Sequence, residues 1–200
     1  MKTLATLEKL ISCLRKFPGI GRRSAERIAI KLITERDSLL KELVDTLQGV
    51  GKNISCCSRC GGLTPFDEDP CRLCTDASRD SALLCVVEDP SDILLIETAG
   101  GYHGRYHALM GKISPMNQEG ANDIRMEALM RRLDSEPIKE VILALNSDVE
   151  SEATASFIHD MLAGRQIRIS RPAMGLPAGS GIAYSDAVTL ARAIKSREQL

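Results

Sequence analysis

Aromatic side chains are scarce in this chain of 200 residues: there is no tryptophan, and only three tyrosines and three phenylalanines. That scarcity excludes a base-stacking platform as the main way of holding a nucleic acid. Charge of one sign is also lacking. With 26 basic and 27 acidic residues, attraction to DNA has to come from local patches, not from an overall field. No apolar run is long enough for a bilayer, and Met1-Lys2-Thr3-Leu4 opens an amphipathic helix where a secretory leader would have an apolar core. The expectation is a soluble, cytoplasmic protein. Pro177-Ala178-Gly179-Ser180-Gly181 has the glycines of a phosphate loop but not its Lys and Ser/Thr, so nucleotide hydrolysis is unsupported.

Cysteine, by contrast, is abundant, with seven in the chain. Cys57-Ser58-Arg59-Cys60 and Cys71-Arg72-Leu73-Cys74 are two Cys-x-x-Cys knuckles separated by a short span containing Gly61-Gly62, Thr64-Pro65 and Asp67-Glu68-Asp69-Pro70. Each knuckle sets two sulfurs on one tight turn, and two knuckles across a hairpin complete a tetrahedron around one zinc ion. A reducing compartment would leave these thiols free of disulfides. Four protein ligands leave no open position, so the expected role is structural: one Zn2+ on Cys57, Cys60, Cys71 and Cys74. Cys56 breaks the spacing to Cys60, while Cys13 and Cys85 read as core residues.

Before the knuckles, apolar residues recur at helical spacing from Leu4 to Leu47, which predicts three or four short helices. Between the first two, Pro18 stops one helix and Gly21 opens the turn into the next, within Phe17-Pro18-Gly19-Ile20-Gly21-Arg22-Arg23-Ser24. This is the pattern of a helix-hairpin-helix. Glycines without side chains let a DNA phosphate approach backbone amides, and the following helix offers its positive N-terminus. Gly19, Gly21, Arg22, Arg23 and Arg27 are the candidate DNA-binding residues, with Lys31 nearby. A Pro-Gly turn serving packing alone is the plainer alternative, and the arginine cluster weighs against it.

After the knuckles the pattern changes to alternating strands and helices. Ala82-Leu83-Leu84-Cys85-Val86-Val87 predicts a strand buried on both faces and ending at Glu88, and Asp89-Pro90-Ser91-Asp92 caps a helix. Val141–Leu145 predicts a second strand, ending in Asn146-Ser147-Asp148-Val149-Glu150-Ser151-Glu152, with a helix from about Ala153 to Leu162. Gln166–Ser170 gives a third. A mostly parallel sheet covered on both faces follows. Gly100–His107 is rich in turn formers and holds His103 and His107, for which no paired nucleophile is visible.

A Glu after one strand with an Asp-x-Asp-x-x-x-Glu cluster after another resembles the Toprim domain of topoisomerases and primases, whose acids hold magnesium. Here Asn146 stands at the first Asp position. In order, these parts resemble the RecR family of bacterial recombination mediators. The likeness runs over essentially the full length: Pro18-Gly19-Ile20-Gly21 with Ser24-Ala25 and Arg27, both cysteine pairs, and Cys85-Val86-Val87-Glu88. Further along come Gly104-Arg105-Tyr106-His107 with Ser114-Pro115-Met116-Asn117, Val149–Thr154, and Tyr184–Leu190.

The resemblance implies an α/β protein divided into a helix-hairpin-helix module (1–53), a four-cysteine zinc finger (54–78), a Toprim domain (79–177) and a C-terminal Gly-rich loop and helix (178–200). It further implies a homotetrameric ring that encircles DNA without enzymatic activity. Such a ring works with RecO, and in many bacteria RecF, to load RecA onto single strands coated by single-strand-binding protein. Arg23 and Arg27 would contact DNA, and Glu150, with Glu88, Asp148 and Glu152, would face RecO. A ring also accounts for DNA binding by a nearly neutral chain, because several copies of one arginine face sum their fields around a shared hole. The competing readings are a magnesium-dependent Toprim nuclease or strand-transfer enzyme, which Asn146 opposes, and a zinc-ribbon protein adaptor, which leaves the glycines and arginines without a role.

Overall fold

The computed structural model describes residues 2–114, 120–173, 176, 179 and 182–196. Pro115-Met116-Asn117 and most of the 177–181 glycine loop therefore lie outside the described residues. The chain divides into two compact units, Met1–Ile54 and Ser55–Leu200.

The first unit is helical: α1 (Lys2–Leu14), α2 (Arg22–Thr34) and α3 (Lys41–Asn53), with a π-helical turn, Arg36–Leu40, leading into α3. Its core is small. Ile11 of α1 packs with Ala25 and Ala29 of α2, and Leu7, Leu10, Leu14 and Ile20 close around them. Two alanines one turn apart let the helices approach closely. Along α3 no residue is buried, and Leu43, Val44, Leu47 and Val50 are exposed together with Ile30 and Ile33 of α2.

The second unit begins with a two-stranded sheet, β1 (Ile54–Cys56, its first residue closing the helical unit) with β2 (Leu63–Pro65), and the one-turn helix α4 (Arg72–Thr75). A four-stranded parallel sheet follows: β3 (Asp80–Val87), β4 (Gly104–Ala108), β5 (Glu140–Ala144) and β6 (Arg168–Ser170), in the order β4-β3-β5-β6. The connecting helices are α5 (Pro90–Ala99), α6 (Met126–Ser135) and α7 (Val149–Leu162); α8 (Ala187–Lys195) comes last. β3 alternates between two cores, as a strand covered on both faces must. Leu84 and Val86 pack with Leu129, Leu133 and Ile158 from α6 and α7, whereas Cys85 and Val87 pack with Ile93 of α5 and Tyr106 of β4.

Two elements exceed what the sequence signalled. Gly104–Ala108 is a buried strand, not a turn-rich segment, and Met126–Ser135 is a helix of that same core. Topology also fixes where the polar strand ends collect. From β3 the chain moves to one side for β4 and to the other for β5, so the carboxyl ends of β3 and β5 flank the switch point where open parallel sheets form sites.

Candidate functional site

Three groups of residues bear on function, and the four cysteines are the most compact. Cys57, Cys60, Cys71 and Cys74 are all buried, and their sulfurs lie within 4.8 Å of one another. Cys57 Sγ is 3.9 Å from Cys74 Sγ, and Cys60 Sγ is 3.5 Å from Cys71 Sγ. A tetrahedron with metal–sulfur bonds of about 2.3 Å has edges of about 3.8 Å, so the donor set fits one metal ion. Backbone amides turn toward the sulfurs: Gly62 N–H donates to Cys60 Sγ and Cys71 N–H to Cys57 Sγ, each at 3.3 Å. Four buried thiols cannot all ionise unaided. The hydrogen bond to Cys71, and then burial, push the Cys60 thiol up to about 12, and a dication is what reverses that preference. Cys56, by contrast, is exposed.

The knuckle is joined to the sheet rather than tethered beside it. Ala108 N–H donates to Cys60 O at 2.7 Å, so the first knuckle caps the edge strand β4. Arg125 Nη2 donates to Ser58 O at 2.8 Å and to Arg59 O at 3.2 Å. Gly61 permits this approach, because its φ is +79° and a Cβ there would stand 2.3 Å from Arg125 Nη1. Beside it, Arg59 pairs with Glu136 at 3.1 Å, which also pairs with Arg132 at 2.8 Å.

In the helical unit the turn between α1 and α2 has two glycines of different kinds. Gly19 has φ +75°, the left-handed region that favours glycine. Gly21 has an ordinary extended conformation and open space around it, so nothing within the chain demands a glycine there. As N-cap of α2 it offers no side chain, which leaves the first amides of the helix uncovered. Arg22 turns back to Glu26 at 2.9 Å, and Lys31 to Glu35 at 3.3 Å. Arg23 and Arg27, one turn apart, are exposed, and among the described residues no ion pair holds them. Arg27, Ser24, Ile28 and Lys31 line a shallow cavity of about 260 Å³.

At the switch point Glu88 is 5% exposed, and both its oxygens are engaged by Asn146: the backbone N–H donates at 2.8 Å and Nδ2 at 2.7 Å. Lys112 Nζ lies 3.5 Å from Glu88 and 2.6 Å from Asp148. Asp148 is the N-cap of α7, accepting from Ser151 N–H at 3.0 Å. Its carboxyl is lowered to about 2, first by the Lys112 hydrogen bond and then by that amide. Glu150 accepts from Ser114 Oγ, and Glu152 pairs with Arg171 at 3.0 Å. The site thus brings together Asp148, Glu150 and Glu152 around one helix start, with Glu88 beneath them. Lys112 and Arg171 carried no signal in the sequence, since any of the 26 basic residues could have balanced these acids. Of the histidines, His107 is buried and donates from Nε2 to Arg125 O at 3.0 Å; burial foremost lowers it to about 3. It is a core residue.

A parallel sheet with acids at its switch point, joined to a knuckle of four buried cysteines and preceded along the chain by a glycine turn that opens a basic helix, defines a protein of the Toprim class. Family models match accordingly: a Toprim domain over residues 82–173, a RecR helix-hairpin-helix over 7–50 and a RecR C-terminal segment over 175–198. The Recombination protein RecR of Desulfatibacillum aliphaticivorans is 40% identical over 195 residues, covering 98% of this chain and 97% of that protein. The chain belongs to the RecR family. Among the described residues no helix is long and apolar enough to cross a membrane.

Proposed function

We propose that this chain is a recombination mediator that binds DNA without reading its sequence and, with RecO and where present RecF, promotes loading of RecA onto coated single strands. The observation that carries the reading is the start of α2. Arg23 and Arg27 stand exposed beside helix amides that Gly21 leaves uncovered, which is the chemistry of phosphate binding. Gly19 gives the turn its left-handed residue, and Arg22, paired with Glu26 along α2, adds a cation beside it.

In this reading the four cysteines hold one zinc ion as a structural cross-link, since sulfur ligands in a closed tetrahedron suit zinc and leave no catalytic position. Residues 1–53, 54–78, 79–177 and 178–200 then serve as DNA-binding module, zinc finger, Toprim domain and assembly segment. Glu150, Asp148 and Glu152 present an acidic face to RecO, supported from below by the buried Glu88. Self-association into a ring is supported by apolar side chains exposed on α3 and, in the C-terminal segment, by Ile182, Tyr184 and Val188. In this reading the protein acts without catalysis, because both Glu88 oxygens already accept from Asn146 and a neutral amide stands where a further carboxylate would be needed.

A crossed experiment tests this. DNA binding by anisotropy and RecO association are measured for wild type, for Arg23→Glu/Arg27→Glu and for Glu150→Lys. The arginine variant is expected to lose DNA binding and keep RecO; Glu150→Lys is expected to keep DNA and lose RecO through like-charge repulsion. Wild-type affinity should fall steeply with salt. DNA binding that survives the double reversal would move the DNA site elsewhere, and RecO binding untouched by Glu150→Lys would move the partner face.

A further inference from the structure

The Toprim fold carries the expectation of a divalent cation at its acidic switch point, and the residues here do not fit one. Magnesium asks for several carboxylate oxygens and waters in octahedral array. Glu88 has both oxygens committed to Asn146 donors at 2.8 and 2.7 Å. Asp148 gives one oxygen to the Lys112 ammonium at 2.6 Å and the other to Ser151 N–H at 3.0 Å. Glu150 and Glu152 are drawn off to Ser114 and Arg171.

We propose that Lys112 is the resident cation of this centre: its ammonium, bridging Glu88 and Asp148, takes the position of the divalent ion and excludes it.

Lys112 does not reach the site by chance of a long surface side chain. The segment that bears it crosses the carboxyl ends of β3 and α7's first turn, and is fastened on both sides of the lysine. Gly111 N–H donates to Glu88 O at 3.3 Å, Ile113 N–H donates to Thr154 Oγ1 at 2.9 Å, and Ser114 Oγ donates to Glu150. The turn itself requires a left-handed Met110, φ 58°, and Gly111 at φ 151°, where a Cβ would come within 2.8 Å of Ile124 Cγ2. The lysine side chain is 28% exposed, and its ammonium faces two carboxylates. A dication entering there would meet a fixed positive charge beside Glu88 and Asp148. A lysine needs neither octahedral geometry nor dehydration of a small hard ion. The lysine thereby offsets part of the negative charge of Glu88 and Asp148 with no metal supplied.

This deepens the non-catalytic reading and rests on it for its meaning, but its test reads cation occupancy and not turnover, so the two can fail separately. Zinc-loaded wild type, Lys112→Met, Lys112→Gln, Asn146→Asp and Lys112→Met/Asp148→Asn are titrated with Mn2+, and free Mn2+ is followed by its electron paramagnetic resonance. Zinc content and circular dichroism report that each variant is folded, and Lys112→Gln replaces Lys112→Met should the latter fold poorly. Wild type and Asn146→Asp are expected to take up no Mn2+ in the millimolar range. Lys112→Met is expected to gain one site with affinity at least about tenfold higher, lost again with Asp148→Asn. One Mn2+ bound by wild type and abolished in Lys112→Met/Asp148→Asn would overturn the proposal. So would folded Lys112→Met and Lys112→Gln proteins that gain nothing, or an equal gain from Asn146→Asp alone, which would assign exclusion to the asparagine.

Discussion

The two units of this chain solve the problem of stability in opposite ways. Ser55–Leu200 builds a core of apolar residues between a sheet and helices on both faces, and its first loop gathers four buried cysteines that fit a metal ion. Met1–Ile54 has a core of Ile11, two alanines and their partly buried neighbours, while Ile30, Ile33, Leu43, Val44, Leu47 and Val50 remain at the surface. The large unit also leaves Phe66, Leu95, Val149, Ile182 and Tyr184 exposed, so the contrast lies in the size of the core each unit builds and not in surface exposure. That difference in core size can be attacked at four positions.

The largest effect is expected at the knuckle. Cys60→Ser removes one of four ligands, and structural zinc sites contribute on the order of 10 kcal/mol of apparent free energy in small modules. Cys60 O also accepts the amide of Ala108, so loosening the knuckle uncovers the edge of β4. Metal content should fall to background and the α/β unit should melt early, whereas Cys56→Ser, at an exposed position, should match wild type in both. Equal zinc in all three proteins would show that the cysteines are not the ligands.

Next is a pair of truncations of similar size, one per unit. Ile158→Ala empties a fully buried position and should cost about 2–5 kcal/mol in denaturant melts. Leu47→Ala, on a residue 60% exposed, should cost under about 0.5 kcal/mol in dilute protein yet shift sedimentation toward smaller species. If Leu47→Ala destabilised the dilute protein as much as Ile158→Ala, the helical unit would have an internal core at α3 and the contrast would collapse.

The smallest effect on stability is expected at Gly21, and it separates fold from function within the helical unit. Gly21 is an N-cap with no side chain, an ordinary φ and open space around it. Gly21→Asp should therefore stabilise α2 by only a few tenths of a kcal/mol by capping its amides. The same carboxylate would occupy and repel the phosphate position, so DNA affinity should fall while the melting temperature holds or rises. Unchanged DNA binding in this variant would mean that the uncovered amides are not the contact.

Local chemistry is what the sequence determined by itself. Two Cys-x-x-Cys knuckles, a Pro-Gly-Ile-Gly turn before a basic helix, and apolar runs ending in acids are signals carried by neighbours along the chain, so the cysteine cluster, α1 and α2, β3 and β5 were all legible. The capping box at Asp89 and Asp92 appeared where the Asp-Pro-Ser-Asp pattern placed a helix start. Helix α7 began four residues earlier than its apolar pattern suggested, because Asp148 caps it and draws Val149–Glu152 into the first turn.

Only the tertiary structure decided the rest. Gly104–Ala108 has a glycine, an arginine and a histidine where a strand pattern would have β-branched residues, and it becomes a strand because β3 offers a free edge for five residues and Tyr106 and His107 fill the two cores. α6 belongs to the same category, as its buried face is defined by the sheet it packs on. The burial of Glu88, the withdrawal of Glu152 to Arg171, and the Lys112 bridge from a segment 24 residues beyond Glu88 in the numbering all depend on strand order. Charge pairing between residues distant along the chain leaves no periodic trace. It is set by which strand ends the topology brings together, and that is a property of the folded sheet alone.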